Sequence, residues 1–134
     1  MIGIVIVAHG GLAREYLAAV EHVVGRQEGV VAIAIDAEDD RARKQDEICD
    51  AADAVDTGDG VVIVTDLFGG SPSNLSLRAC SPSNRRILYG MNLPLLIKLA
   101  KSRSKSVPEA VEAALTAGRK YINSHSVAPD LSVK

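Results

Sequence analysis

A chain of 134 residues is long enough to close one core and too short for two. Its 15 Lys plus Arg against 17 Asp plus Glu leave a net charge of -2, which gathers no polyanion, and a lone Phe with three Tyr and no Trp offers little to stack on bases, so no nucleic-acid partner is expected. Apolar runs such as Ile4 to Ala8 and Val61 to Val64 are far below the roughly 18 residues that span a bilayer, and the N-terminus lacks a basic n-region and a cleavage pattern, so the chain is expected in the cytoplasm without membrane insertion.

Ile2 to Ala8 is a near-continuous β-branched run, the pattern of a strand covered on both faces in a parallel sheet. After the turn His9-Gly10-Gly11, Leu12, Tyr16, Ala19, Val20 and Val23 recur at helical spacing, with Gly25 as a stop. Val30 to Ile35 predicts a second strand. Asp36 to Asp59 opens with charges, places Ile48, Ala51, Ala52 and Val55 on one face and closes near Gly58, which predicts a second helix. Gly60 to Thr65 repeats the first strand's pattern, and Asp66-Leu-Phe-Gly-Gly-Ser-Pro-Ser-Asn74 follows it, leading into a short apolar helix through Cys80. Arg86 to Gly90 predicts a fourth strand, Leu93 to about Ala100 a helix, and Pro108 to about Arg119 another, with Pro108 at its start and Gly118 near its end. Lys120 to Val127 is assigned to a short final strand. The domain is taken as residues 1–127, with 128–134 as a loose tail.

Strands alternating with helices imply an α/β fold, a single-domain parallel sheet with helices on both faces and right-handed crossovers. Placing the third strand beside the first, away from the second, gives the order 2-1-3-4 and a topological switch point between strands one and three. The loops carrying His9-Gly10-Gly11 and Asp66 to Asn74 then meet.

His9 sits at the carboxyl end of its strand, where open α/β sheets bind ligands, before two glycines that let backbone approach a bulky anion. A turn histidine by itself is more often structural. Asp66, at the matching end of the third strand, changes that, because a carboxylate bonded to one ring nitrogen fixes the tautomer and leaves the other nitrogen as nucleophile. Gly69-Gly70-Ser71 supplies amides before a helix N-terminus that favours an anion, although Ser71 and Pro72 also read as a capped helix start. Together these groups suit phosphoryl transfer, which asks for an in-line nucleophile and donors to the charged oxygens.

Three motifs carry a family resemblance: Ile4-Val-Ile-Val-Ala-His9-Gly10, Asp66-Leu-Phe-Gly-Gly-Ser71-Pro-Ser-Asn74, and Gly90-Met-Asn92-Leu-Pro94-Leu-Leu96. In this order, across residues 1 to about 120, they resemble the enzyme IIA domain of the mannose-type phosphoenolpyruvate-dependent sugar phosphotransferase system. The resemblance implies that His9 accepts the phosphoryl group, Asp66 partners it, Ser71 with Gly69, Gly70 and Gly10 surrounds the phosphoryl group, and Asn92 and Pro94 form a loop beside the site. An ordinary turn after the fourth strand explains Asn92 and Pro94 equally well. The resemblance further implies phospho-HPr as donor, a IIB-type acceptor in trans, membrane IIC and IID subunits downstream, and a homodimer in which a C-terminal strand crosses antiparallel to the partner's sheet edge. Lys120 to Val127 is the segment available for that strand. No IIB domain follows in this sequence, so a separate acceptor is expected. No metal or organic cofactor is required.

Rival readings use the same residues. A regulator whose His9 phosphorylation state controls a partner would carry the same site. Small tetrapyrrole metal chelatases also place a His-Gly turn after a first strand, but the candidate loops hold no second histidine. Gly-Gly-Ser71-Pro-Ser lacks the second glycine of an esterase elbow, and no Gly-x-x-x-x-Gly-Lys phosphate loop occurs. Cys49 and Cys80 form no CxxC or Cys/His cluster. His22 and His125 lack ligand-spaced neighbours, and Arg78, Arg85 and Arg86 read as a solvated charge cluster.

Overall fold

The computed structural model describes residues 1–67, 74, 76 and 84–127. The elements run β1 (Gly3–His9), α1 (Leu12–Val24), β2 (Val30–Ile35), α2 (Arg41–Val55), β3 (Val61–Thr65), β4 (Arg85–Leu88), α3 (Leu93–Lys101) and α4 (Val107–Lys120). Of the expected helix through Cys80 only Asn74 and Ser76 are described, both helical; the Gly69-Gly70-Ser71 turn and the tail 128–134 lie outside the described residues.

The four strands form one parallel sheet in the order β2-β1-β3-β4, as the alternation of the sequence predicts. β1 is central and almost wholly buried. Its alternate side chains enter two separate cores. Ile4, Ile6 and Ala8 join Val62 and Val64 against Ala13 and Val20 of α1, Leu95, Leu96 and Leu99 of α3, and Ala110 and Ala114 of α4. Val5 and Val7 join Ile33, Ile35, Val61 and Ile63 against Ile48, Ala52 and Val55 of α2. Cover on both sides is why β1 and β3 read as unbroken apolar runs rather than as an alternating pattern.

Local chemistry sets the ends of the helices. The Asp40 side chain accepts from the Ala42 and Arg43 amides, so α2 begins at Arg41 and residues 36–40 form the turn before it, later than the sequence pattern suggests. Ser106 and Glu109 form a reciprocal capping box at the start of α4. Arg103 closes the amino end of the sheet, its Nε donating to Ile2 O at 2.7 Å and its Nη2 to Gly29 O at 3.4 Å.

Two sequence expectations are corrected. The buried face of α1 consists of Ala13, Tyr16, Leu17, Val20 and Val24, while Leu12 and Val23 are exposed, so the face is rotated from the expected stripe. Lys120 belongs to α4, and residues 122–127 have no regular structure in the single chain, with Ile122 74% and Val127 100% exposed. A strand exists only with a ladder partner, and this segment pairs with none of the described strands.

Candidate functional site

The register Val7↔Thr65 brings the carboxyl ends of β1 and β3 side by side, so His9 and Asp66 leave the sheet together. Thr65 is fully buried, and its hydroxyl reaches the Leu67 carbonyl at 3.3 Å and the Leu88 carbonyl at 3.4 Å, tying the exit of β3 to β4. The Thr65 carbonyl accepts from the Met91 amide at 3.2 Å, which holds the chain after β4 against the same corner.

Asp66 grips His9 through one atom. Its Oδ2 accepts the His9 backbone N–H at 3.1 Å and lies 2.9 Å from His9 Nδ1. Burial pushes the Asp66 carboxyl up, but the bonds from the His9 ring and backbone amide outweigh it and hold the group below the usual carboxylate range. An ionised carboxylate only accepts, so Nδ1 carries the proton and Nε2 of neutral His9 keeps a free lone pair. The Asp66 side chain is only 12% exposed, whereas that of His9 is 49% exposed, so the carboxylate is sheltered and the imidazole is presented. The other carboxylate oxygen, Oδ1, is buried without a hydrogen-bond partner among the described residues.

Gly10 takes a left-handed turn, φ +57°, that other residues reach only with strain, and a Cβ there would meet nothing within 4 Å. Its N–H donates to the Ile35 carbonyl at 3.0 Å, so Gly10 contributes the turn and open space rather than an amide donor. Gly11 then serves as N-cap of α1 without any side-chain cap, leaving the first-turn amides beside His9 uncapped. Gly69, Gly70 and Ser71 lie outside the described residues.

The Asn92 side chain is committed elsewhere. Its Oδ1 accepts from the Leu95 amide at 3.0 Å, capping α3, and its Nδ2 donates to the Gly118 carbonyl at 2.9 Å near the end of α4. Pro94 lines a cleft of about 760 Å³ between α3 and α4 that does not include His9. Among the described residues neither forms a hydrogen bond with the imidazole.

A second wall of the site escaped the sequence reading. His9 lines a cavity of about 330 Å³ with Ile35, Asp36, Ala37, Asp39, Arg41 and Lys44. The pairing His9↔Ile35 puts the turn after β2 next to the histidine on the side away from β3. Only the strand order pointed that way, since the charges of 36–44 look like a solvated helix start. Among the described residues no group of three or more His, Cys, Asp or Glu is arranged to hold a metal, and no helix is long and apolar enough to cross a membrane.

The family model described as EIIA-man, PTS system fructose IIA component, matches residues 3–115. The PTS system mannose-specific EIIAB component of Escherichia coli strain K12 is 28% identical over 131 residues, covering 96% of this chain; the chain spans only 41% of that relative's length. The crystal structure of phosphotransferase system component EIIA from Streptococcus agalactiae superposes with a TM-score of 0.83 at 28% identity, covering 92% of this chain and 97% of that one. The mannose/sorbose specific IIA subunit from Enterococcus faecalis, at 23% identity, shares the fold with a TM-score of 0.83 over 95% of this chain and 96% of that one. With a continuous family match from β1 into α4 and a histidine held by an aspartate at the sheet's switch point, the chain belongs to the mannose/fructose-type IIA family of the sugar phosphotransferase system.

Proposed function

We propose that His9 is the phosphoryl-accepting residue of this IIA domain, charged by phospho-HPr and discharged to a IIB-type acceptor. The observation that carries the reading is the single Asp66 oxygen that bonds both the backbone amide and Nδ1 of His9. Nε2 of neutral His9 attacks the phosphorus of the donor phosphohistidine. The donor's P–N bond breaks, its electron pair returns to the donor ring, and the phosphorylated His9 ring, still protonated on Nδ1, carries positive charge that Asp66 balances. Exchange between two phosphoramidates is close to isoenergetic, so alignment across a transient protein contact governs the rate. Ser71 with Gly69 and Gly70 is assigned the phosphoryl oxygens by motif.

Exposed Leu12 and Leu67, 42% and 56% accessible and close in sequence to His9 and Asp66, favour a protein surface over a small molecule as the donor. A IIB-type acceptor feeding membrane IIC and IID subunits is the destination that the family relationship supports, and a regulatory partner that reads the phosphorylation state of His9 would use the same site. Segment 122–127, with Ile122 and Val127 exposed, supports a homodimer in which it pairs with the outer edge of a second copy's β4; removing residues 122–134 is expected to leave a monomer, and a truncated protein that stays dimeric would exclude that arrangement.

The test of the relay is incubation with enzyme I, HPr and labelled phosphoenolpyruvate. Acid-labile label is expected on the wild type and absent from His9→Ala. Equal labelling of both proteins would remove His9 from the reaction.

A further inference from the structure

We infer that Arg41 is a second phosphoryl-binding residue, reaching the group on His9 from the β2 side while Asp66 holds the imidazole from the β3 side. The inference rests on His9 being the phosphorylated residue. β1 lies between β2 and β3, and the pairs His9↔Ile35 and Val7↔Thr65 place one loop on each flank of the histidine. The β3 flank supplies the carboxylate. The β2 flank supplies the 330 Å³ cavity, which has two cations on its wall, Arg41 and Lys44.

These two cations differ in availability. Lys44 Nζ is 2.8 Å from Glu47 Oε1 and 3.9 Å from Asp39 Oδ2, so it is already paired. Arg41 is exposed and pairs with no carboxylate among the described residues. Its neighbour Asp40 is turned onto the Ala42 and Arg43 amides, and Asp39 Oδ2 accepts the Asp36 amide at 2.7 Å. A guanidinium matches phosphate geometry with two parallel donors, which an ammonium does not. Charge makes the need for it plain. Asp36 and Asp39 balance Arg41 and Lys44 on the cavity wall, so without Arg41 a phosphoryl dianion would face a net negative wall.

The experiment phosphorylates the purified protein with phosphoramidate, which needs no carrier protein, and follows the phosphorus resonance of phospho-His9 against pH. A nearby guanidinium favours the dianion, so in Arg41→Gln the second ionisation of the phosphoryl group should move up by about 0.5 to 1 pH unit, a three- to tenfold change in its protonation constant. Arg41→Lys should recover part of the shift. Asp36→Asn should move it the other way. Arg43→Gln removes the same charge from the same exposed helix turn but does not line the cavity, and should leave the midpoint near that of the wild type. Equal midpoints for Arg41→Gln and the wild type, or equal shifts for Arg41→Gln and Arg43→Gln, would overturn the role of Arg41 alone. Absence of any His9-dependent phosphohistidine resonance in the wild type would overturn the reading of His9 itself, and this one with it.

Discussion

Replacing Asp66 by Asn separates the two things a carboxylate can do for a histidine: carry charge and choose the tautomer. Asp66 Oδ2 accepts from both the His9 amide and Nδ1. In the variant, the backbone N–H still requires an acceptor at that position, so the amide oxygen takes it and continues to accept from Nδ1. The reactive tautomer is retained and only the charge is lost. A hydrogen bond to a charged group contributes about 1.5–3 kcal/mol against about 1 for a neutral one. His9 is half exposed, which places the effect near the middle of that difference of about 0.5–2 kcal/mol, so the transfer rate from phospho-HPr should fall about tenfold rather than by the factor of about 10⁴ seen when a triad histidine adopts the wrong tautomer. The amide NH2 then falls where Oδ1 is buried without a partner among the described residues, which should also cost about 1–3 kcal/mol of stability. The assay is rapid-quench transfer of label to variant and wild type, with thermal unfolding run alongside. A loss beyond a thousandfold in a folded variant would show that the shared oxygen does not set the tautomer. An unchanged rate would remove the charge of Asp66 from the mechanism.

The acid limb of stability follows from the same group. Because the folded carboxyl lies below its ordinary value, its contribution is fully present above the unfolded pKa of about 3.9 and is lost as pH falls through the folded value. The difference in melting temperature between wild type and Asp66→Asn should therefore shrink as the pH falls below about 4, and a difference that keeps growing below that pH would contradict this. Asn92→Ala removes the α3 cap and the tie to Gly118, and should cost about 1–2 kcal/mol in urea unfolding while leaving the rate of His9 labelling unchanged; a tenfold slower label in the folded variant would place Asn92 in the site. Gly60→Ala forces a side chain onto φ +97°, with its Cβ 2.5 Å from the Asn84 carbonyl oxygen and from Val107 Cγ2. A loss of about 3 kcal/mol is expected, and a variant within about 0.5 kcal/mol of the wild type would mean that the β3 entrance relaxes freely.

The His9–Asp66 pair fits a relay better than a hydrolase. The imidazole is held firmly at Nδ1 and left open at Nε2, beside the uncapped first-turn amides of α1 and a cavity of modest size. Under the proposed relay the phosphoryl group would ride on a half-exposed imidazole that a partner protein can reach. Arg41, if it contacts the phosphoryl oxygens, adds charge from a third element without closing the site.

Strand order was legible in the residues themselves, because β-branched runs buried on both faces alternate with helical periodicity, and the handedness of parallel crossovers leaves few arrangements. His9 at one strand end and Asp66 at another followed from that order and from the motifs. The finer contacts came from packing in three dimensions. Whether Asp66 uses one oxygen or two depends on how β1 and β3 are aligned, and the face that α1 buries depends on its rotation against α3, neither of which is local. Asn92 caps one helix and holds another because Gly118, 26 residues later, arrives beside it. Arg41 reaches the histidine's cavity only because β2 pairs with β1, which turns an ordinary charged helix start into a wall of the site. The last segment, 122–127, shows the limit most simply: the family resemblance suggests a strand there, but a strand requires a neighbour's hydrogen bonds, and none of the described strands supplies them within the single chain.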